Sequence, residues 1–300
     1  MKIILSSLIF IYVFCCHSTC FAVLKIVATN PDLAYFASRI GEGKAEVQCL
    51  TSGMQDQHYI QAKPSMISKV RLADILCYNG ADLEVGWLPT LMGAARNSNI
   101  LEGQPGNFNA SEGIIMLDVP QSADRALGDI HPQGNPHFLL DPRNGIVVAE
   151  RLAARMGLLD PGSKEFFQGN IAAYKEELGA HIKRWEAMAG PLRGQKVIAY
   201  HKTWVYFLEW LGIKEVGTIE PLPGISSSPA HIQHLIQSGK TEKPMAVIAE
   251  GYQNPKPSNY TATNLGIPFY PLPIMTGGEE KIKSYSDLFE TIISKLMGKE

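Results

Sequence analysis

The sequence predicts an α/β protein in which two lobes, each built on a parallel sheet, are joined by one long helix. Three observations predict this fold. Short apolar strands alternate with amphipathic helices before residue 120, the same alternation returns after residue 196, and a long helical pattern lies between. We therefore expect an N-terminal lobe over residues 23–159, a linking helix over 160–190 and a C-terminal lobe over 191–300.

The first lobe is predicted to contain four strands with helices between them. Its first helix carries Leu33, Phe36, Ala37 and Ile40 on one face, as an amphipathic helix packed on a sheet does. Because strands alternate with helices, the sheet is expected to be parallel. The predicted strands are 24–29, 46–50, 73–78 and 114–117, and the later helices are 64–73, 85–96 and 145–156.

The linking helix is the longest helical pattern of the chain. Asp160 suits its N-cap, Pro161 suits its first turn, and Gly190 with Pro191 ends it. A helix of this length in the middle of the chain is suited to joining two domains. Apolar residues recur along it at helical spacing, namely Phe167, Ile171, Tyr174, Leu178, Ile182, Trp185 and Met188.

The second lobe repeats the alternation of the first, although no repeat of individual residues accompanies it. A similar architecture in the two halves is therefore expected. The predicted strands are 197–200, 215–219, 245–249 and 269–270, and the predicted helices are 204–211, 229–237, 258–265 and 285–297.

Residues 1–22 have the pattern of an export signal. Lys2 supplies the positive end, residues 3–16 form an apolar run too short to span a membrane, and cleavage is expected after Ala22. A retained membrane anchor and a lipid-modified cysteine in this segment are the alternatives. The formal net charge of −2, with scattered basic residues, gives no indication of a nucleic-acid partner.

Two cysteines, Cys49 and Cys77, lie outside the signal, and both fall in apolar strand-like runs. We favour two free buried thiols. An oxidising compartment also permits a disulfide between them, if their geometry allows it. Metal binding by Cys49 together with His58 is a third alternative.

Three histidines are candidate metal ligands: His58, His137 and His201. They lie too far apart for a local motif, so only the tertiary fold can bring them together. Each follows or ends a segment predicted to be a strand or a loop leaving one, where ligand groups collect in a parallel α/β sheet. Zinc commonly takes three protein ligands of this kind and one further group. His131, in a loop near His137, is a candidate secondary or recruiting ligand.

Motifs for catalysis are absent from the sequence. It contains no H-E-x-x-H, G-x-S-x-G, P-loop or G-x-G-x-x-G pattern. A site of three histidines with an open position is nevertheless compatible with a zinc-dependent hydrolase. We therefore keep a hydrolase that uses the same three histidines as an alternative, and a receptor for an organic solute as a weaker one.

The chain resembles the zinc and manganese solute-binding proteins of metal ABC importers, over essentially all of its predicted mature length. The P-H-x-x-x-D-P pattern beginning at Pro136 is the most specific of the matching pieces. The others are Ala28-Thr29-Asn30, Asp56-Gln57-His58 with Lys63-Pro64-Ser65, Ala199-Tyr200-His201-Lys202-Thr203-Trp204, Pro223-Gly224-Ile225-Ser226 and Ile248-Ala249-Glu250.

The resemblance implies two α/β lobes joined by a rigid helix, a metal site in the cleft between them, and ligands at His58, His137 and His201. It indicates the zinc-binding branch, because manganese receptors usually carry a carboxylate at the third position. The family often has an aspartate after the last strand, but residues 270–275 contain no acid. Water or Glu250 is therefore expected as the fourth ligand, with Glu279 and Glu280 as alternatives.

These implications predict an exported, periplasmic Zn²⁺ receptor that delivers its ion to an inner-membrane ABC permease. The protein is expected to be a monomer and not an enzyme. A manganese or iron receptor of the same family is the main alternative, with Mn²⁺ a less favoured ligand than Zn²⁺ because imidazole-rich sites suit zinc.

Overall fold

The computed structural model describes residues 23–121, 128 and 130–299, so the predicted export signal lies outside the described residues. Within them, the chain forms two four-stranded parallel sheets with a long helix between the two sets of strands. This confirms the predicted fold class. No helix in this part of the chain is both long enough and apolar enough to cross a membrane.

The N-terminal lobe places helices around a parallel sheet of four short strands. The strand order is β2-β1-β3-β4, with every neighbouring pair parallel. In this order the strands are Ala45–Cys49 (β2), Leu24–Ala28 (β1), Ile75–Tyr78 (β3) and Asn107–Asn109 (β4). The helices are Pro31–Gly41 (α1), Pro64–Arg71 (α2), Leu88–Ala95 (α3) and Pro142–Leu159 (α4).

The strand predicted at residues 114–117 is wrong, because β4 occupies that edge of the sheet. Phe108 is the one buried residue of β4, and a single apolar residue in three gives no detectable strand pattern. In the predicted segment, Ile115 is 85% exposed. The backbone N–H of Leu117 donates to the Tyr206 hydroxyl, so this segment packs on the second lobe.

The C-terminal lobe repeats this architecture with the strand order β6-β5-β7-β8, again parallel throughout. In this order the strands are Lys214–Thr218 (β6), Lys196–Ala199 (β5), Ala246–Glu250 (β7) and Phe269–Leu272 (β8). The helices are Val205–Leu211 (α6), Pro229–Glu242 (α7), Pro255–Leu265 (α8) and Tyr285–Leu296 (α9). We number the linking helix α5, described next.

The linking helix α5 spans Lys164–Met188 and contains 25 residues, which gives a length of roughly 38 Å. Its buried face contacts both lobes. Tyr174 packs against Phe36 of α1, with ring centroids 6.1 Å apart. Trp185, three turns later, packs against Phe289 of α9 at 5.3 Å. One rigid element is therefore anchored in each half of the molecule.

The start of α5 differs from the prediction by a few residues. Asp160 and Pro161 begin a separate 3-10 turn, Pro161–Ser163, and the side chain of Asp160 makes no capping hydrogen bond there. The backbone N–H of Asp160 instead bonds to Met156 O and ends α4. The local signal for a helix start was therefore present, but it marks the turn between two consecutive helices.

The two lobes also contact each other directly, through buried groups beneath the cleft. Tyr285 of α9 is fully buried, its ring lies 4.8 Å from that of Phe36, and its hydroxyl donates to Leu139 O. Nearby, the backbone N–H of Thr276 donates to the Asp32 carboxylate at 2.8 Å. These contacts oppose any wide opening of the lobes.

The two cysteines are free, as favoured, although only Cys77 is buried and Cys49 is half-buried; the disulfide alternative is wrong. Cys49 of β2 and Cys77 of β3 both lie beside Ala28 of β1, on opposite sides of that strand. Two strand spacings place their Cα atoms roughly 9–10 Å apart. A disulfide requires less than about 7 Å.

Replacing Tyr285 by Phe should lower the free energy of unfolding by about 1–3 kcal/mol, because it leaves the carbonyl of Leu139 buried without its donor. Chemical denaturation measures the change. The matched control is Tyr260→Phe, since Tyr260 is 50% exposed. An equal loss in the two variants would contradict the proposed role of the buried hydroxyl.

Asp32→Asn should make the stability less dependent on pH. Burial raises the pKa of Asp32 from 3.8 to about 6, although the hydrogen bond from Thr276 acts to lower it. The folded protein therefore holds a proton that the unfolded chain has released, and its stability falls as pH rises from 4 to 6. Between pH 4 and pH 6, the free energy of unfolding of the wild type should fall by up to about 3 kcal/mol more than that of the variant.

Urea titrations at pH 4, 5, 6 and 7 measure this difference. Glu165→Gln on the exposed face of α5 is the control, and it should leave the pH dependence unchanged. Parallel stability curves for the wild type and Asp32→Asn would disprove the assignment.

Candidate metal centre

Three histidines meet in the cleft between the lobes, at the carboxyl ends of the strands. One ring nitrogen each from His58, His137 and His201 lies within 4.8 Å of the others. The ring centroids are 5.3 Å apart for His58 and His137, and 5.7 Å apart for the other two pairs. Tetrahedral zinc holds its nitrogen ligands roughly 3.3 Å from one another, so small side-chain shifts would close the set around an ion.

His58 lies in the loop after β2 and is oriented by Asp56. The Asp56 Oδ1 atom accepts from the backbone N–H of His58 and lies 2.7 Å from the ring Nδ1. Burial would raise the pKa of Asp56, but the hydrogen bonds and charge of His58 outweigh it and lower that pKa. The carboxylate therefore stays ionised and holds the Nδ1 proton, which leaves Nε2 available as a ligand.

His137 begins a tight turn that leads into α4. The Asn135 side chain accepts from the backbone N–H of His137, and Asp141 caps α4 by accepting from the N–H of Arg143. The His137 Nε2 atom is buried and has no hydrogen-bond partner among the described residues. Burial, together with the charges of the neighbouring histidines, lowers the pKa of His137 well below its ordinary value. Its ring is therefore neutral, as a metal ligand must be.

His201 follows β5 directly and is oriented by Glu220, which lies beyond the end of β6. The Nδ1 atom of His201 lies 2.8 Å from Oε2 of Glu220, and that oxygen also accepts from the N–H of Gly224. Burial opposes the charged ring, but the Glu220 hydrogen bond and the charges of Glu250, Glu220 and Asp56 together raise the pKa of His201. The Nε2 atom is left to face the cleft.

Glu250, the predicted fourth ligand, ends β7 beneath the cleft. It is 1% exposed, and neither of its carboxylate oxygens meets a donor with hydrogen-bond geometry in the described part of the chain. Burial raises its pKa, and the charge of His201 partly offsets this effect. Glu250 lies near His201 but outside the close three-histidine set, so its role as a ligand stays a prediction.

The other two acids considered for the fourth position lie elsewhere. Glu279 forms an ion pair with Lys295 of α9. Glu280 is exposed. Neither joins the three histidines among the described residues.

The sequence interpretation missed the two carboxylates that orient the histidines. Asp56 carried a weak signal, because it stands two residues before His58 in a turn-forming segment. Glu220 carried none, since it reaches His201 from a proline-rich loop 19 residues later. Such partners can be recognised only after the fold has brought the strand ends together.

The arrangement is chemically that of a cation site. Two imidazoles contact carboxylates through Nδ1 and the third is held neutral by burial, so three ring nitrogens converge in a largely buried cleft. Imidazole-rich sites suit zinc and its neighbours in the transition series better than they suit magnesium or calcium.

A family model agrees with this geometry. The model described as "Zinc-uptake complex component A periplasmic", ZnuA, matches residues 26–298. It therefore covers nearly all of the described chain, including both lobes and all three histidines.

Curated relatives include transport proteins for different metals. The chain is 26% identical over 251 residues to the manganese ABC transporter substrate-binding lipoprotein PsaA of Streptococcus pneumoniae, covering 82% of this chain and 78% of that protein. It is 26% identical over 252 residues to the iron ABC transporter substrate-binding lipoprotein MtsA of Streptococcus pyogenes serotype M1, with the same coverage.

Solved structures share the fold. A crystal structure of ZnuA matches with a TM-score of 0.77 and 22% identity, covering 92% of this chain and 99% of that one. A cadmium-bound periplasmic metal binding protein from candidatus liberibacter asiaticus matches with a TM-score of 0.75 and 19% identity, covering 91% and 99%. At these identities, the likeness supports the two-lobed architecture.

Glu220→Gln should weaken metal binding by about 10- to 100-fold, because the His201 ring loses the charged partner that orients it. Competition with a chromophoric chelator measures the affinity. The control is Glu209→Gln on the exposed side of α6, which should bind like the wild type. Wild-type affinity in Glu220→Gln would contradict the orienting role.

Proposed function

From the premise that this chain belongs to the ZnuA family of periplasmic zinc-uptake components, we propose that it binds Zn²⁺ and delivers it to an inner-membrane ABC permease. The chain is a substrate-binding protein of a metal ABC transporter, and the family consists of receptors rather than enzymes. The hydrolase that we kept as an alternative therefore receives no support.

One observation carries the choice of zinc. Three imidazole nitrogens converge within 4.8 Å in the cleft, and the third of them, from His201, takes a position where a carboxylate would favour manganese. Copper and nickel ions bind imidazole-rich sites at least as tightly as zinc. The metal supply of the compartment and the coordination geometry therefore determine which of these ions is bound.

Glu250 is the proposed fourth ligand. Imidazole ligands bring no charge to a dication, whereas the buried carboxylate of Glu250 would bring one negative charge close to His201. An ion in the cleft would also compensate the cost of burying this carboxylate. The proposed set is thus His58, His137, His201 and Glu250, two ligands from each half of the chain.

The proposed mechanism is capture without a wide hinge motion. Helix α5 is anchored in both lobes, so ion binding is expected to order side chains and loops at the cleft. We further propose that the protein acts as a monomer in the periplasm after removal of residues 1–22, with lobes at 23–159 and 191–300 on either side of the linking segment 160–190.

A manganese or iron receptor is the second candidate. Its support is the printed names of relatives at 26% identity, one for manganese and one for iron. This candidate predicts that oxygen ligands such as Glu250 dominate the binding energy.

The test is elemental analysis of residues 23–300 after chelator treatment and equilibration with mixed Zn²⁺, Mn²⁺, Fe²⁺ and Cu²⁺. We expect one equivalent of zinc. His58→Ala, His137→Ala and His201→Ala should each weaken zinc binding by at least about 10-fold, because each removes one lone pair from the set. His234→Ala, on the exposed side of α7, is the matched control and should retain the metal.

The outcomes separate the candidates. Manganese or iron in the wild type, with Glu250→Gln more damaging than His201→Ala, would favour the second candidate. Zinc binding that is indifferent to all three histidine variants would mean that the site lies elsewhere.

A further inference from the structure

A tyrosine of the C-terminal lobe, Tyr252, lies beside the three-histidine set on a tight turn after β7. The N–H of Gln253 donates to Glu250 O at 3.0 Å, which places Gly251 and Tyr252 at the two central positions of the turn. The N–H of Gly251 donates to Leu272 O of the neighbouring strand β8 at 2.9 Å. The turn that carries Tyr252 is therefore fixed to the sheet.

The side chain of Tyr252 is half-buried and packs against the main apolar core. Burial raises the pKa of its hydroxyl well above the ordinary value, and the charges of Glu250, Asp56 and Glu220 act in the same direction. These carboxylates come from both lobes and include the two that orient histidines of the cleft. Tyr252 therefore enters this charged surrounding as a neutral, bulky group that keeps its proton.

The ring of Tyr252 borders two small cavities that reach the histidines. The first has a volume of about 20 Å³ and is also lined by His58 and His201. The second has a volume of about 30 Å³ and is also lined by His137. Asp56 lines both cavities, as Tyr252 does. Each cavity has room for roughly one or two water molecules, so water can reach these sides of the histidine set only in small number.

A third and larger cavity borders the same set. Its volume is about 220 Å³, and His131, His137 and His201 are among the residues that line it. The Nε2 atom of His131 lies 3.3 Å from Nε2 of His58. This cavity has room for several water molecules. A bound ion can therefore take a further ligand from this side, whereas on the other sides the space is limited by the wall to which Tyr252 belongs.

Zinc and manganese differ in the number of ligands that they require. Zinc in protein sites is commonly four-coordinate and tetrahedral, whereas manganese favours six ligands, mainly oxygens, in an octahedral arrangement. Three histidine nitrogens leave one position open on a four-coordinate ion and three on a six-coordinate ion. A wall that restricts water therefore disfavours the six-coordinate ion and leaves the four-coordinate ion unaffected.

We propose that Tyr252 is a specificity-determining residue of the metal site: its ring excludes water beside the three histidines and keeps a bound ion four-coordinate, which favours zinc over manganese. This inference rests on the proposed function and adds to it the residue that discriminates between the two metals. Tyr252 acts by occupying space, so its contribution requires the ring and does not require the hydroxyl.

The test is the ratio of the affinities for Zn²⁺ and Mn²⁺, measured together with the visible spectrum of the Co²⁺-loaded protein. Tyr252→Ala enlarges both small cavities, so the ratio of zinc to manganese affinity should fall by about tenfold. Tetrahedral Co²⁺ absorbs visible light much more strongly than six-coordinate Co²⁺, so the absorption should fall in the same variant. Tyr252→Phe keeps the ring and should match the wild type in both measurements.

Two further variants complete the test. Tyr252→Val removes the ring but keeps an apolar contact with the core, and it replaces Tyr252→Ala if circular dichroism shows that the alanine variant does not fold. It should change the affinity ratio and the spectrum in the same direction. The control is Tyr260→Ala on α8, where the side chain is 50% exposed, and it should bind both metals like the wild type.

The contrary outcomes are distinct. A wild-type affinity ratio and Co²⁺ spectrum in the folded variant without the ring would overturn the inference. A change in Tyr252→Phe as large as that in Tyr252→Ala would also overturn it, because the hydroxyl would then be the group that acts. A wild-type protein that takes up no zinc would overturn the proposed function itself.

Discussion

The metal centre depends on the apolar contact that fixes one lobe against the other. Helix α5 inserts Tyr174 among residues of the first lobe and Trp185 among residues of the second, and Tyr285 packs across to Phe36. These rings are buried and close-packed, so they resist displacement by more than small amounts. The three histidines of the cleft, drawn from opposite lobes, can remain within a few ångströms of each other only because this core prevents the lobes from separating.

Polar groups of the cleft orient the histidine side chains that the apolar core brings together. Asp56 and Glu220 each bind the Nδ1 side of a histidine, so the rings of His58 and His201 cannot rotate freely. His137 is held from its backbone by Asn135 and kept neutral by burial. The site is thereby prepared to bind before any ion arrives, which reduces the ordering cost of capture.

The sequence was sufficient for the features that depend on local patterns. Alternating apolar strands and helices predicted both sheets and the linking helix, and strand-end positions predicted the meeting of His58, His137 and His201. The sequence did not predict the features that tertiary contacts determine. β4 has one buried residue, Phe108, and is defined only by pairing with β3, whereas the more apolar segment 114–117 packs on the second lobe. The partnership of His201 with Glu220 likewise depends on the neighbouring positions of β5 and β6.

The division of the proposed ligands between the two halves also has a thermodynamic consequence. An ion held by His58 and His137 on one side and by His201 and Glu250 on the other acts as a reversible cross-link between sequence-distant segments. Because the unfolded chain lacks this arrangement, the free ion stabilises the folded state by mass action, by about 2.7 kcal/mol at one hundred times the dissociation constant. The lifetime of the protein against proteolysis would then rise and fall with the metal supply of its compartment.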